Sequence, residues 1–348
     1  MKYKMKTNNL KIYIYTALHF LVDLTTVFLV SKVLLGPDVG MINRGEVIII
    51  YNLLAFAGPL PIGIIADIIN KNMIIALIGC VLSAIAYPLA FISPWIACIL
   101  VSLGNGAFHI GAGADVLKMS LPKAGLSGLF VSSGAFGVWL AYLLNSKFVI
   151  LICPLMMLIS SVLICFLYKH DDKEGMNIQI HYDLPEPRKV MAISCFMLTI
   201  VIRSLLGMVM NFSWKSIPML SFLFVSAVAG GKALGGFLSD RFGQRLTVII
   251  SLLISIVGFV FSFDHWLSGV IAVFCFNMTM PLTLTAIASA CGEKYGFAFG
   301  LTTFALAIGF IPVVFGAKEW FGIPLLVAGG IVSLILLVLG YKLINIKT

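Results

Sequence analysis

Apolar residues fill this chain in blocks of about twenty, each long enough to cross a bilayer as a helix. The blocks fall near 10–34, 46–68, 73–92, 94–117, 124–145, 148–168, 190–212, 216–238, 246–263, 266–290, 296–317 and 320–343. Short polar breaks separate them, leaving no room for a second soluble domain. The pattern therefore predicts an all-α integral membrane protein with twelve transmembrane helices. One longer polar segment, 169–189, is rich in charge and contains Pro187. It predicts a cytoplasmic linker between a six-helix bundle at 1–168 and a second at 190–348. Two sites are expected to kink their helices: Gly58-Pro59-Leu60-Pro61 in the second block and Pro281 in the tenth.

Composition agrees. Of 348 residues, 61% are hydrophobic and 11% charged, where a soluble chain has about 45–50% and about 25%. The excess must face lipid. The net charge of +9 is scattered through short loops and forms no basic domain, so nucleic acid is not an expected partner. With the N-terminus inside, sixteen Lys and Arg fall in inside segments and five in outside loops. This bias predicts a multi-pass protein of the cell membrane with both termini cytoplasmic. The first block outruns a signal peptide's apolar core and lacks a small-residue cleavage site, so it reads as an uncleaved helix. The seven cysteines show no close pairing or metal-ligand spacing. No disulfide, metal or cofactor is expected, and the chain is expected to be a monomer.

A repeat at half the chain length is the most specific feature. Gly63-Ile-Ile-Ala-Asp67 precedes the third block, and Gly236-Phe-Leu-Ser-Asp240 precedes the ninth. Lys123-Ala-Gly125 returns as Lys294-Tyr-Gly296, and Gly128 and Gly137 return as Gly300 and Gly309. Such self-similarity indicates a duplicated bundle. Six helices per half give a parallel repeat, which puts a binding site at mid-membrane between the halves.

The run Gly236-Phe-Leu-Ser-Asp240-Arg241-Phe242-Gly243-Gln244-Arg245 resembles the loop motif G-x-L-x-D-R-x-G-x-R of the major facilitator superfamily. The resemblance implies two pseudo-symmetric six-helix bundles and a cytoplasmic gate built from Gly63, Asp67, Lys71, Gly236, Asp240, Arg241, Gly243 and Arg245. Small residues let helices approach, and the aspartate suits a neighbouring helix N-terminus. The first copy departs from the pattern: Ile68 replaces the arginine and Asn70 the glycine, leaving Lys71 as its basic partner. Its gate is expected to be the weaker. Two further segments, Gly104-Asn-Gly-Ala-Phe-His109 and Ser127-Gly-Leu-Phe-Val-Ser-Ser-Gly-Ala-Phe-Gly137, are similar to the fosmidomycin-resistance branch of exporters. Ser102 stands where many proton-coupled members have arginine in the fourth helix, and Val138 follows Gly137 where the antiporter motif has proline.

An ionisable group inside a span is expensive and marks function. Asp23 and Arg203 lie at matching depth in the first and seventh blocks, with His19 one turn before Asp23 on the same face. His109 sits mid-way along the fourth block and Asn277 along the tenth. In the major facilitator fold those four helices line the central cavity. Asp23 and His109 are the proton-coupling candidates. The substrate-binding candidates are His19, Asp23, His109, Arg203 and Asn277, with Arg203 as partner to Asp23, as cation for an anionic substrate, or both.

Together these features predict a secondary active transporter that moves a small solute by alternating access, coupled to protons; the resemblance to the exporter branch implies an antiporter working in efflux. Uptake of a small organic anion is the alternative. An intramembrane enzyme lacks a histidine-rich or nucleophile–base motif here. A non-transporting receptor would be expected to lose its intramembrane charges or carry appended domains. The expected partners are a small-molecule substrate, protons and the lipid bilayer.

Overall fold

The computed structural model describes residues 2–36, 43–169 and 186–344. Most of the expected linker at 169–189 lies outside the described residues. The first crossing is α1 (Lys2–Phe28), continued by a π-helical run at Leu29–Leu34. The second is α2 (Arg44–Asn52), a π-helical run at Leu53–Ala57, and α3 (Pro59–Ile69). There follow α4 (Asn72–Leu89), α5 (Pro94–Ser120), α6 (Gly125–Leu143) and α7 (Lys147–Lys169). Beyond the linker come α8 (Pro187–Val209), α9 (Pro218–Phe242), α10 (Gln244–Val260) and the broken pair α11 (Trp266–Asn277) and α12 (Thr279–Cys291). Last are α13 (Tyr295–Val314) and α14 (Ile323–Leu343).

Among the described residues, eleven helical stretches are long and apolar enough to cross a membrane. The twelfth expected span, α10, has 17 residues, at the lower limit for a crossing. Gly243, with φ 88°, ends α9 immediately before it, and a turn at Phe261 ends α10. Each sequence block thus coincides with one helical stretch, and the chain is a multi-pass membrane protein.

The regular α-helical bonding is interrupted near both proline sites, by a π-helical run before Pro59 and at Met278 before Pro281. Proline cannot donate to the carbonyl four residues back. For Pro59 that carbonyl belongs to Ala55, inside the π-helical run. For Pro281 it belongs to Asn277, where α11 gives way to α12.

The chain forms two compact units: Met1–Met119, Ser133–His181 and Lys294–Phe304 make one; Ser120–Ser132, Tyr182–Glu293 and Ala305–Thr348 the other. In the first unit, Phe28, Tyr87, Cys98 and Val101 belong to one buried core. The Tyr87 hydroxyl crosses that core to donate to the Thr25 carbonyl at 2.6 Å. In the second unit Phe196 and Tyr341 pack edge to face at 5.2 Å, joining α8 to α14. The Tyr341 hydroxyl donates to the Leu282 carbonyl at 3.1 Å, and Ser204 of α8 donates to the Leu306 carbonyl of α13 at 2.8 Å. Away from these cores, α7 exposes Leu151, Leu155, Ile159, Val162 and Phe166 at helical spacing. A continuous apolar stripe of this kind on a membrane-spanning helix suits lipid rather than water.

Candidate functional site

The first cluster lies wholly within the first unit. His19 and Asp23 are four residues apart on α1, so their side chains leave the same face. His109 projects from α5 to meet them, ninety residues away in sequence. Its Nδ1 is 2.8 Å from the Asn105 carbonyl. That oxygen only accepts, so Nδ1 carries the proton and, in a neutral ring, Nε2 presents a lone pair. This Nε2 is 2.9 Å from His19 Nε2, the rings meeting edge to face at 4.6 Å. Asp23 closes the triangle: Oδ2 is 3.3 Å from His19 Nε2, and Oδ1 is 3.4 Å from His109 Nε2.

The surroundings hold this triangle in place. Asn105 donates to the Thr26 hydroxyl at 2.8 Å, tying α5 to α1 one turn from His109 and one turn from Asp23. Thr26 in turn donates to the Val22 carbonyl at 2.7 Å. On the α6 side Gly134 forms the wall, where a methyl group would overlap Asp23 Oδ2 and His19 Nε2. Any larger residue there would push the Asp23 and His19 side chains out of the positions described.

The second cluster lies in the second unit. Arg203 of α8 is 9% exposed. Its NH1 donates to the Thr279 and Thr283 hydroxyls, each at 3.3 Å, and its NH2 to Thr283 at 3.3 Å. Both threonines spend their own protons on helix carbonyls, of Phe276 and Met280, at 2.8 Å. The guanidinium is solvated by neutral oxygens, and among the described residues it makes no salt bridge to a carboxylate. Asn277 turns back on its own helix, its amide nitrogen donating to the Val273 carbonyl at 2.9 Å.

The repeated aspartates form two matching contacts. Asp67 accepts from the Gly296 amide at 2.7 Å and the Phe297 amide at 2.8 Å. Asp240 accepts from the Ala124 amide at 2.7 Å and the Gly125 amide at 3.0 Å. Each carboxylate thus sits at the N-terminus of α13 or α6, where unpaired amides and the helix dipole favour an anion. Each repeat glycine allows the approach: a side chain at Gly63 would overlap the Gly296 carbonyl, and one at Gly236 the Ala124 carbonyl.

The basic residues of the motif do other work. Arg245 NH2 donates to the Tyr341 carbonyl at 2.6 Å. Arg241 and Lys71 are exposed, and Arg241 lies 5.3 Å from the Phe242 ring. The first copy, poorer in its sequence match, makes the more buried contact: Asp67 is 6% exposed, while Asp240 is open to solvent. Asn70, where the motif has glycine, still takes the left-handed conformation at φ 51°, which asparagine tolerates best among non-glycine residues.

Sequence reasoning missed Asn105, Thr26, Thr279, Thr283 and Gly134. The signal was present in spacing: Asn105 lies four residues before His109, and Thr279 and Thr283 share one helical face.

The sequence matches no known family profile, and no curated protein matches it either. Solved structures do match. One is a major facilitator superfamily transporter, FucP, in the outward conformation, with a TM-score of 0.68 and 12% identity over 97% of this chain and 99% of that one. Another is a variant of the E. coli fucose:proton symporter FucP, with a TM-score of 0.67 and 14% identity over the same shares of both chains. At such identity the likeness establishes the fold, which is that of the major facilitator transporters.

Proposed function

We propose that this chain is a secondary active transporter that moves a small solute by alternating access and couples that movement to protons. The observation that carries the reading is the His19–Asp23–His109 triangle inside apolar spans. Its facing atoms comprise a carboxylate and two imidazole nitrogens, at least one of them a lone pair. A proton taken up there relieves the repulsion between Asp23 Oδ1 and the His109 Nε2 lone pair, 3.4 Å apart. Arg203 is the substrate-binding group. A buried guanidinium met by two threonine hydroxyls suits an anionic or zwitterionic solute, and Asp23 is the charge such a solute would displace if the two residues pair during the cycle. Asn277 and His19 complete the proposed binding set.

In this reading residues 1–168 and 190–348 are two six-helix halves joined by a linker at 169–189, and one chain is the working unit. Asp67 then reaches from the first half to α13 of the second, and Asp240 from the second half to α6 of the first. The two contacts form a cytoplasmic gate between halves, with Gly63 and Gly236 at its closest approaches and Lys71, Arg241, Gly243 and Arg245 beside it. Both termini face the cytoplasm of a cell-membrane protein, following the loop charges. The resemblance to fosmidomycin-resistance exporters supports an antiporter working in efflux. Arg203 favours a second reading, uptake of a small organic anion.

Reconstituted vesicles test the coupling, using a solute found by thermal-shift screening of the purified chain. An imposed pH gradient should drive that solute uphill in the wild type. Asp23→Asn should lose uphill movement yet keep solute exchange without a gradient. Uphill transport that survives in Asp23→Asn would remove the coupling role.

A further inference from the structure

We propose that His19, Asp23 and His109 form a binding site for one divalent transition-metal ion. The geometry is that of a ligand set. Zinc-like ions hold imidazole nitrogen and carboxylate oxygen at about 2.0–2.2 Å in a tetrahedron, which places neighbouring ligand atoms about 3.3 Å apart. The two Nε2 atoms are 2.9 Å apart; His19 Nε2 lies 3.3 Å from Asp23 Oδ2 and His109 Nε2 lies 3.4 Å from Oδ1, so each imidazole faces its own carboxylate oxygen and Asp23 offers the ion either or both. One candidate ligand atom from each residue lies within 4.8 Å of the others.

Orientation agrees with distance. A metal-bound imidazole usually donates its other N–H to a carbonyl or carboxylate, which fixes the tautomer and aims the free lone pair at the ion. His109 does this through Nδ1 and the Asn105 carbonyl. Asn105 is itself anchored on Thr26, so the ligand is held from behind. Without a shared cation, His19 Nε2 faces both His109 Nε2 and Asp23 Oδ2, so one N–H there is divided between two acceptors. An ion at the centre accepts all three lone pairs at once.

The donor set selects the class of ion. Two imidazoles and one carboxylate suit zinc, cobalt, nickel, manganese or ferrous iron, while calcium and magnesium require oxygen cages. Three protein ligands leave a fourth position for water or for a group on a transported solute. The cluster is the same triangle that carries the proton-coupling reading, but metal binding does not rest on transport.

The test uses the full chain, purified in detergent and stripped of metal with a chelator. Titration with cobalt(II) should give one equivalent bound, with the intense visible bands of a four-coordinate ion, and an equimolar amount of zinc should displace it. Zinc should also raise the melting temperature of the wild type. His109→Gln and Asp23→Asn should each weaken binding roughly 100-fold or more, beyond what loss of an outer-shell partner costs. His265→Gln, at an exposed histidine outside the cluster, should bind as the wild type does. If His109→Gln fails to fold, His19→Gln carries the decision in the same titration. Absence of saturable cobalt uptake by the wild type, or binding unchanged in the three-residue variants, would overturn the site. Gradient-driven transport measured separately in vesicles is unaffected by that failure, so the two readings fall independently.

Discussion

Asp67→Asn is expected to release the chain from the conformation described here, shifting its population by roughly 30- to 700-fold. The carboxylate accepts two short bonds from backbone amides at the start of α13 and is 6% exposed, so water scarcely competes. Hydrogen bonds to a charged group contribute about 1.5–3 kcal/mol each. Asparagine keeps one oxygen, but its amide nitrogen then points a donor at a donor, and attraction to the helix dipole is lost. A loss of about 2–4 kcal/mol follows, at about 1.4 kcal/mol per tenfold shift. Cysteine placed at Phe299, which is buried beside Gly113, reports the change in a background free of other cysteines. Its alkylation should accelerate strongly in Asp67→Asn and less in Asp240→Asn, because Asp240 is exposed and solvent replaces part of what it loses. Equal alkylation with and without Asp67 would reduce that contact to a simple helix cap. A larger effect at Asp240 would show that burial does not rank the two contacts.

Arg203→Gln should separate stability from function in opposite directions. Burying a charge without a counter-charge is unfavourable, and three 3.3 Å bonds to hydroxyls offset only part of that penalty. Glutamine is neutral and still donates to a threonine. The variant is therefore expected to melt several degrees above the wild type, since about 1 kcal/mol moves the midpoint of a large domain by about 2–4 °C. An anionic solute that stabilises the wild type should lose its effect, with affinity falling 30-fold or more as a charge-assisted pair of at least about 2 kcal/mol disappears. Thermal melts of both proteins with and without solute read both quantities. A variant that melts lower and still binds would assign Arg203 to structure. Retention of a costly charge for binding is the pattern that intramembrane arginines of functional sites are expected to follow.

The sequence by itself determined the membrane class, the twelve apolar stretches and the proline breaks, because each is a local property. Hydrophobic length is readable without knowing any partner, and Pro281 frees the Asn277 carbonyl whatever lies nearby. The half-chain repeat likewise singled out Asp67 and Asp240, and rarity of charge singled out Asp23, His109 and Arg203. What each of these residues touches was decided only by tertiary structure. Asp67 finds its amides 229 and 230 positions away, so its burial depends on how closely Gly63 and Gly296 pack, which the better motif match at Asp240 does not report. His19 and Asp23 share a helix face by spacing alone, but His109 joins them from ninety residues away. No cysteine or histidine spacing announces that cluster, because its donors are collected by helix packing rather than by a continuous motif. Thr279 and Thr283 were ordinary helix residues until α8 placed a guanidinium against them. Apolar spans are set by the free energy of single segments in lipid, whereas a buried polar group is defined by the partners that satisfy it, and those are fixed only when helices distant in sequence are packed together.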